Sequence, residues 1–411
     1  MSPSPTAERT VLLVGTLDTK GEELGFVRER LALHGVGALV ADAGVLGPPR
    51  LAPDVTREEL GAAAGVDVGA LAAAEDRGAA IGAMAGAAAA LARRLHDEGA
   101  IHGVLGAGGS GNTAIATAAM QALPVGVPKL MVSTMAAGDT RDYVGGVDVT
   151  LMASVTDVAG LNTISRRILA NAAAAMAGMV NAPAPEAGKE RPLVAATMFG
   201  VTTPCVTTAR EALEVHGYEV LVFHATGTGG KAMEALVEAG FLRGVLDATT
   251  TELCDDLVGG VLSAGPGRLE AAGRAGLPQV VSLGALDMVN FGARDSVPER
   301  FEDRNLYVHN PSITLMRTTP EECAELGRRI ARKLSAATGP VALFVPLGGV
   351  SMIDAEGQPF HDPEADAALF SALREGVGEN VELIELDLNV NDDAFADAMA
   401  EKLDDYLKAA A

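Results

Sequence analysis

Tryptophan is missing from this sequence, and aromatic residues of every kind make up only 3% of it. A core must therefore be packed from Ala, Val and Leu, with 48 glycines allowing close backbone approach. The three cysteines, Cys205, Cys254 and Cys323, show no paired spacing, which excludes a zinc ribbon and a disulfide framework and fits a reducing, cytoplasmic setting. Positive charge is scarce: 31 Lys and Arg stand against 54 Asp and Glu, a net −23. An extended nucleic-acid surface is excluded by that balance, since neutralising phosphates takes a broad cationic face. A local phosphate site is not, because helix-start amides bind anions even on an acidic protein. Long apolar runs are lacking too. The Ala-rich stretch 70–95 carries Glu75, Asp76, Arg77 and Arg93 and reads as a soluble helix, not a membrane span. The polar opening MSPSPTAERT resembles neither a signal nor a transit peptide, so no export is expected. HExxH, GxSxG, CxxC and EF-hand patterns are also absent, which leaves zinc hydrolysis, serine-hydrolase chemistry and a calcium loop without support.

What is present repeats itself. Arg28-Glu29-Arg30-Leu31, His34-Gly35 and Leu39-Val40 recur at identical spacing as Arg210-Glu211-Ala212-Leu213, His216-Gly217 and Leu221-Val222. Each copy reads as an amphipathic helix, a glycine able to end it, and a buried strand. Gly103-Val104-Leu105 likewise matches Gly244-Val245-Leu246, and Val127-Pro128 matches Leu277-Pro278. Convergence of βαβ units on such patterns is the alternative; the shared order of elements favours duplication. The expected architecture is α/β, with two similar Rossmann-like three-layer domains of mostly parallel strands, spanning 1–180 and 193–411. The proline-containing segment 181–192 is the expected linker. Thr56-Arg57-Glu58-Glu59 and Thr319-Pro320-Glu321-Glu322 are capping boxes, and Asp362-Pro363 opens a further helix. His34 and His216 are expected at helix ends, where they satisfy terminal carbonyls.

Ligands of parallel sheets sit beyond the strands' carboxyl ends, so the loops there are the candidates, facing a cleft between the two domains. The strongest runs from Gly106 through Gly108, Gly109, Ser110, Gly111 and Asn112 to Thr113, entering an Ala-rich helix. Its glycines let backbone amides approach an anion, and its polar side chains add bonds; helix packing is the bland alternative. The loop is neither a Walker A motif nor a clean GxGxxG. A second loop holds Thr16, Asp18, Thr19 and Lys20. Lys20 suits a phosphate and Asp18 a magnesium ion or a ribose, unless they are a helix cap and a solvated cation. Thr134 marks the comparable switch after the next strand. The second half offers Thr202, Thr203, Gly227, Gly229, Gly230 and Thr250, with redundant threonine capping as the alternative. Weak catalytic candidates are His309, Arg317 and Glu252, for an enzyme acting on a small phosphorylated or carboxylated metabolite. Cys205 reads as a buried filler before it reads as a nucleophile.

At Gly15-Thr16-Leu17-Asp18-Thr19-Lys20-Gly21 and 106–113, with Gly200-Val201-Thr202-Thr203-Pro204 and Gly348-Gly349-Val350-Ser351, the sequence resembles a known family over nearly its whole length. This is the ATP-binding domain family typified by the N-terminal inhibitory region of the tomato mosaic virus resistance protein. The resemblance implies a two-domain α/β architecture, ATP as ligand with a possible magnesium ion, and a homodimer. It also implies a separate TIM-barrel partner protein, because the plant protein carries such a region in the same chain. Neither ATP cleavage nor viral-protein binding follows from it.

Overall fold

A computed structural model describes residues 9–183 and 191–410, so positions 184–190 of the expected linker lie outside the described residues. The chain forms two compact units, Met1–Glu186 and Ala187–Ala411. Unit 1 runs β1 (Thr10–Gly15), α1 (Leu17–Leu33), β2 (Gly37–Asp42), α2 (Arg57–Ala62), α3 (Val68–Ala74), α4 (Arg77–Asp97) and β3 (Gly103–Gly108). It continues with α5 (Ser110–Gln121), β4 (Lys129–Ser133), α6 (Arg141–Val144), β5 (Thr150–Ala153) and α7 (Thr163–Asn181). Its five strands are parallel in the order β2-β1-β3-β4-β5. The strands read as continuous apolar runs because both faces are covered. Leu12 and Val14 pack with Ala87 and Leu91 of α4 and Ile115 of α5. Val11 and Leu13 turn the other way, to Leu24 and Val27 of α1 and Leu169 and Met176 of α7. Each such fully buried Val, Leu, Ile or Met side chain is worth about 1.5–3 kcal/mol.

Unit 2 repeats the plan: β6 (Leu193–Met198), α8 (Thr203–Val215), β7 (Glu219–His224), α9 (Thr228–Glu238), β8 (Gly244–Thr249), α10 (Glu252–Val258), α11 (Ala271–Arg274) and β9 (Gln279–Gly284). Three strands follow, β10 (Met288–Phe291), β11 (Leu306–Asn310) and β12 (Ile313–Arg317), which form a separate antiparallel sheet. Then come α12 (Pro320–Ser335), β13 (Val341–Pro346), α13 (Pro363–Gly376), β14 (Val381–Leu386) and α14 (Asp393–Ala409). The parallel sheet is ordered β7-β6-β8-β9-β13-β14, the order of unit 1 with one strand added. Register repeats as well: Val11 faces Gly103 in unit 1, and Val194 faces Gly244 in unit 2. Two similar parallel α/β domains are thus present, as the sequence repeat implied.

Local signals set the element ends. Thr56 and Thr319 form complete capping boxes, and Asp362 caps α13 at Ala365 N. His34 and His216 are the C-cap residues of α1 and α8, followed by Gly35 (φ 73°) and Gly217 (φ 96°) in the left-handed region that terminates a helix. One expectation is corrected. The stretch 70–95 is not one helix, because Glu75 takes a left-handed conformation (φ 53°) at the end of α3 and Asp76 opens α4 by accepting from Ala79 N. No helix among the described residues is long and apolar enough to cross a membrane.

Candidate functional site

In unit 1 the two sequence-selected loops meet. Gly15 ends β1 against Asn112, whose Oδ1 accepts from Thr16 N at 3.1 Å while its Nδ2 donates to Ala107 O at 2.6 Å. A Cβ on Gly15 would lie 2.9 Å from that amide nitrogen, which is why the position is glycine. Asn112 is therefore the pin between the loops, and both ends of its side chain are used inside the protein. Capping of α1 falls to a residue the sequence did not single out: Asp42, at the end of β2, accepts from Leu17 N at 3.0 Å and Gly44 N at 2.9 Å. Arg57 clamps its other oxygen at 2.9 and 2.6 Å. Neither Thr16, the N-cap residue, nor Asp18 supplies that cap.

The pinned loops wall a cavity of about 630 Å³. Thr16, Asp18, Thr19 and Lys20 line it from one side, Gly109, Ser110, Gly111 and Asn112 from another. Helix α5 enters from Gly109 without a side-chain cap, and its first hydrogen bond back to that residue is made only by Thr113 N. The amides of the first turn therefore stay open, carrying the positive end of the helix dipole. Asp18 is 9% exposed; its Oδ2 accepts from Leu46 N and Gly47 N at 3.3 and 3.2 Å, while its Oδ1 is buried without a partner. Thr16 and Thr19 hydroxyls bond each other at 2.7 Å, and Lys20 Nζ donates to the Val158 carbonyl. The third wall was not anticipated. Val45, Leu46, Leu71, Glu75, Asp76, Arg77 and Ile81 come from the connection between β2 and β3, which carries α2–α4 where unit 2 has the single helix α9. Glu75, Asp76 and Arg77 had registered in the sequence only as charges unsuited to a membrane.

Other residues of the glycine-rich loop point inward. Gly106 lies within β3, where a Cβ would come 2.5 Å from Ala116 Cβ, and at Gly108 it would come 2.7 Å from Asn112 Cβ; both are packing glycines. Thr113 is buried, donating to Gly109 O at 2.8 Å and bonding Ser133 Oγ at 2.7 Å. Thr134 sits beside Gly109 but outside the cavity lining.

Unit 2 overturns more. The amides of Gly227 and Gly230, expected to cradle an external anion, both donate to Glu252 Oε1, at 2.6 and 3.1 Å. A Cβ on Gly230 would lie 2.1 Å from Glu252 Oε2, and one on Gly229 would lie 1.9 Å from His224 O. Glu252 is 0% exposed and bonds the buried Arg268 at 2.6 Å, so it serves as an internal counter-ion and not as a reactive group. Thr202 bonds Thr249 at 2.7 Å, Thr203 returns to the carbonyls of Phe199 and Gly200, and Thr250 donates to Ser282 O at 3.1 Å; these hydroxyls are consumed within the protein. His309 is exposed near the β11–β12 turn, whereas Arg317 is buried at the far end of β12, bonding Asp354 at 3.1 Å and Asp366 at 2.7 Å. The hairpin separates them, so they form no common site. Cys205 is buried, and burial pushes its thiol up to about 12, unsuited to thiolate chemistry.

Elsewhere in unit 2, burial raises the Asp255 carboxyl from 3.8 to about 7, against the opposing pull of its bonds from Asn290 and Leu262 N. A carboxyl whose folded value is raised stabilises the fold fully below its ordinary value and loses that contribution as pH climbs toward the folded one. Replacing Asp255 by Asn should therefore flatten stability between about pH 4 and 7 by up to ~1.4 kcal/mol per pH unit. Urea unfolding at several pH values measures this, and parallel curves for wild type and variant would refute it.

Fold and cavity together define a class: a duplicated, parallel α/β protein whose first unit keeps an open helix N-terminus inside a lined cavity and whose second holds a buried carboxylate, Glu252, against the start of α9. The chain belongs to the uncharacterised protein family UPF0261, matching the family's N-terminal domain over residues 9–185 and its C-terminal domain over 191–407. A UPF0261 protein of Clostridium tetani is 53% identical over 396 residues, covering 96% of this chain and 98% of that protein. The ToMV resistance protein Tm-1(GCR237) of Solanum lycopersicum is 45% identical over 314 residues, 74% of this chain but 42% of the tomato protein. Among solved structures, UDP-GlcNAc 2-epimerase from Neisseria meningitidis bound to UDP-GlcNAc matches 66% of this chain and 82% of its own, at 11% identity and a TM-score of 0.23. A score that low carries nothing about ligand or mechanism.

Proposed function

We propose that unit 1 binds a nucleotide, ATP in the first instance, with its phosphates on the amides at the start of α5. The observation carrying this reading is the convergence of two independent strand-end loops on one cavity that contains an uncapped helix N-terminus. A phosphate there gains hydrogen bonds and the dipole at once, which compensates for an acidic molecule. The apolar side of the cavity, Val45, Leu71, Ile81 and Ile115, suits a base or sugar face. Among the described residues four carboxylates, Asp18, Glu75, Asp76 and Asp157, share the lining with two cations, Lys20 and Arg77. That excess fits a nucleotide carried as its magnesium complex. The Asp18 carboxylate in the lining is the kind of hard-oxygen donor such an ion takes. Among the described residues no cluster of three or more His, Cys, Asp or Glu could hold a metal alone, so the phosphates would supply the remaining ligands.

Titration calorimetry with ATP, with and without magnesium, tests the reading. Lys20→Glu and Gly109→Leu should each weaken ATP by about tenfold or more, the first by charge reversal beside the phosphates and the second by filling the approach to the helix start. Unchanged affinity in both would exclude this placement.

A further inference from the structure

Building on the nucleotide reading of this cavity, we infer that Arg77 is the residue that counts phosphates, pairing with the outermost anionic group of a nucleoside polyphosphate. Arg77 is the first residue of α4, and its Nη2 lies 3.8 Å from where a Cβ on Gly111 would stand, so the guanidinium sits over the first turn of α5. It is exposed, and among the described residues no carboxylate forms an ion pair with it. Its neighbour Asp76 is already engaged as the α4 cap through Ala79 N at 3.0 Å. The other lining cation, Lys20, is held by the Val158 carbonyl. Among the described residues Arg77 is thus the one uncommitted positive side chain in the lining.

The helix-start amides act on whichever phosphate rests against them, and they are fixed in place. A longer phosphate chain brings further negative charge into a lining that already holds more carboxylates than cations, and that charge needs a mobile donor. A guanidinium meets a phosphate bidentately and is always charged, which suits the task. Its position comes from the α3–α4 corner, where Glu75 in the left-handed region turns the chain so that α4 starts above α5. Unit 2 has no such corner, only α9, and there the space at the helix start is taken by Glu252. The segment that opens the cavity therefore also supplies its reader.

Calorimetric titration of wild type, Arg77→Ala and Arg77→Lys with ATP, ADP and AMP decides this. Arg77→Ala should weaken ATP by about tenfold or more and AMP by no more than about twofold, with Lys recovering part of the loss. The ligand-free melting temperature should stay put, since exposed substitutions away from packing usually fall within about 0.5 kcal/mol. If wild type binds ATP and Arg77→Ala lowers ATP and AMP by the same factor, or neither, the role of Arg77 is refuted while the nucleotide site stands. If wild type binds none of the three nucleotides, the site itself is refuted and Arg77 with it.

Discussion

Ser110→Asp should abolish measurable ATP binding, by about a hundredfold or more, while leaving the protein as stable as before or slightly more so. Ser110 is the exposed first residue of α5, and Gly109 before it gives no side-chain cap. A carboxylate in the first helical turn interacts favourably with the dipole, worth about 0.3–1 kcal/mol, so folding does not suffer. The same charge stands where a phosphate would rest, and two like charges ~4 Å apart near a protein surface repel by about 4 kcal/mol. Ser110→Asn keeps the shape without the charge and should bind nearly as wild type does. Thermal unfolding and ATP titration of both variants separate the effects. A folded Asp variant that binds ATP within about twofold of wild type would remove the phosphates from this helix start.

Why the fold was legible while half the proposed site was not comes down to range. Parallel strands buried on both faces must be apolar along their length, so 11–14 and 341–345 announce themselves, and caps such as Thr319 with Glu322 act over three residues. The recurrence of Arg28 to Val40 at Arg210 to Val222 therefore gave both units. The loop 106–113 was also found locally, but which of its polar groups faces a ligand is set by partners far along the chain. Asn112 turns to Thr16, and Thr113 to Ser133, neither of which periodicity can reveal. Arg77 was hidden for the same reason: its neighbours become a cavity wall only once α4 has crossed α5, a contact made through Ile81 and Gly111. Glu252 misled because a carboxylate after a strand reads alike whether it faces a substrate or Arg268, and the distinction lies in burial.

That buried carboxylate makes the strongest stability prediction. Glu252 binds Arg268 through Nε at 2.6 Å, accepts from Gly227 and Gly230, and belongs to a cluster in which Asp247 bonds the same guanidinium at 2.7 Å. Glu252→Ala strands two amides and one edge of a guanidinium with 0% side-chain exposure, and breaking a buried pair of this kind costs roughly 3–5 kcal/mol. For a unit of this size that corresponds to a fall in melting temperature on the order of 10 °C. Glu252→Ala has a sharper consequence than loss of stability. Removal of the side chain leaves an anion-shaped vacancy with its donors in place, so formate or acetate in solution should restore part of the melting temperature, in a saturable way and beyond the effect of chloride at equal ionic strength. Glu252→Gln, which keeps an oxygen for the amides but gives up the charge on Arg268, should fall between wild type and Ala. Absence of any carboxylate-specific rescue in the Ala variant would mean that the loop amides at the start of α9 relax onto other acceptors and hold no pre-formed cradle.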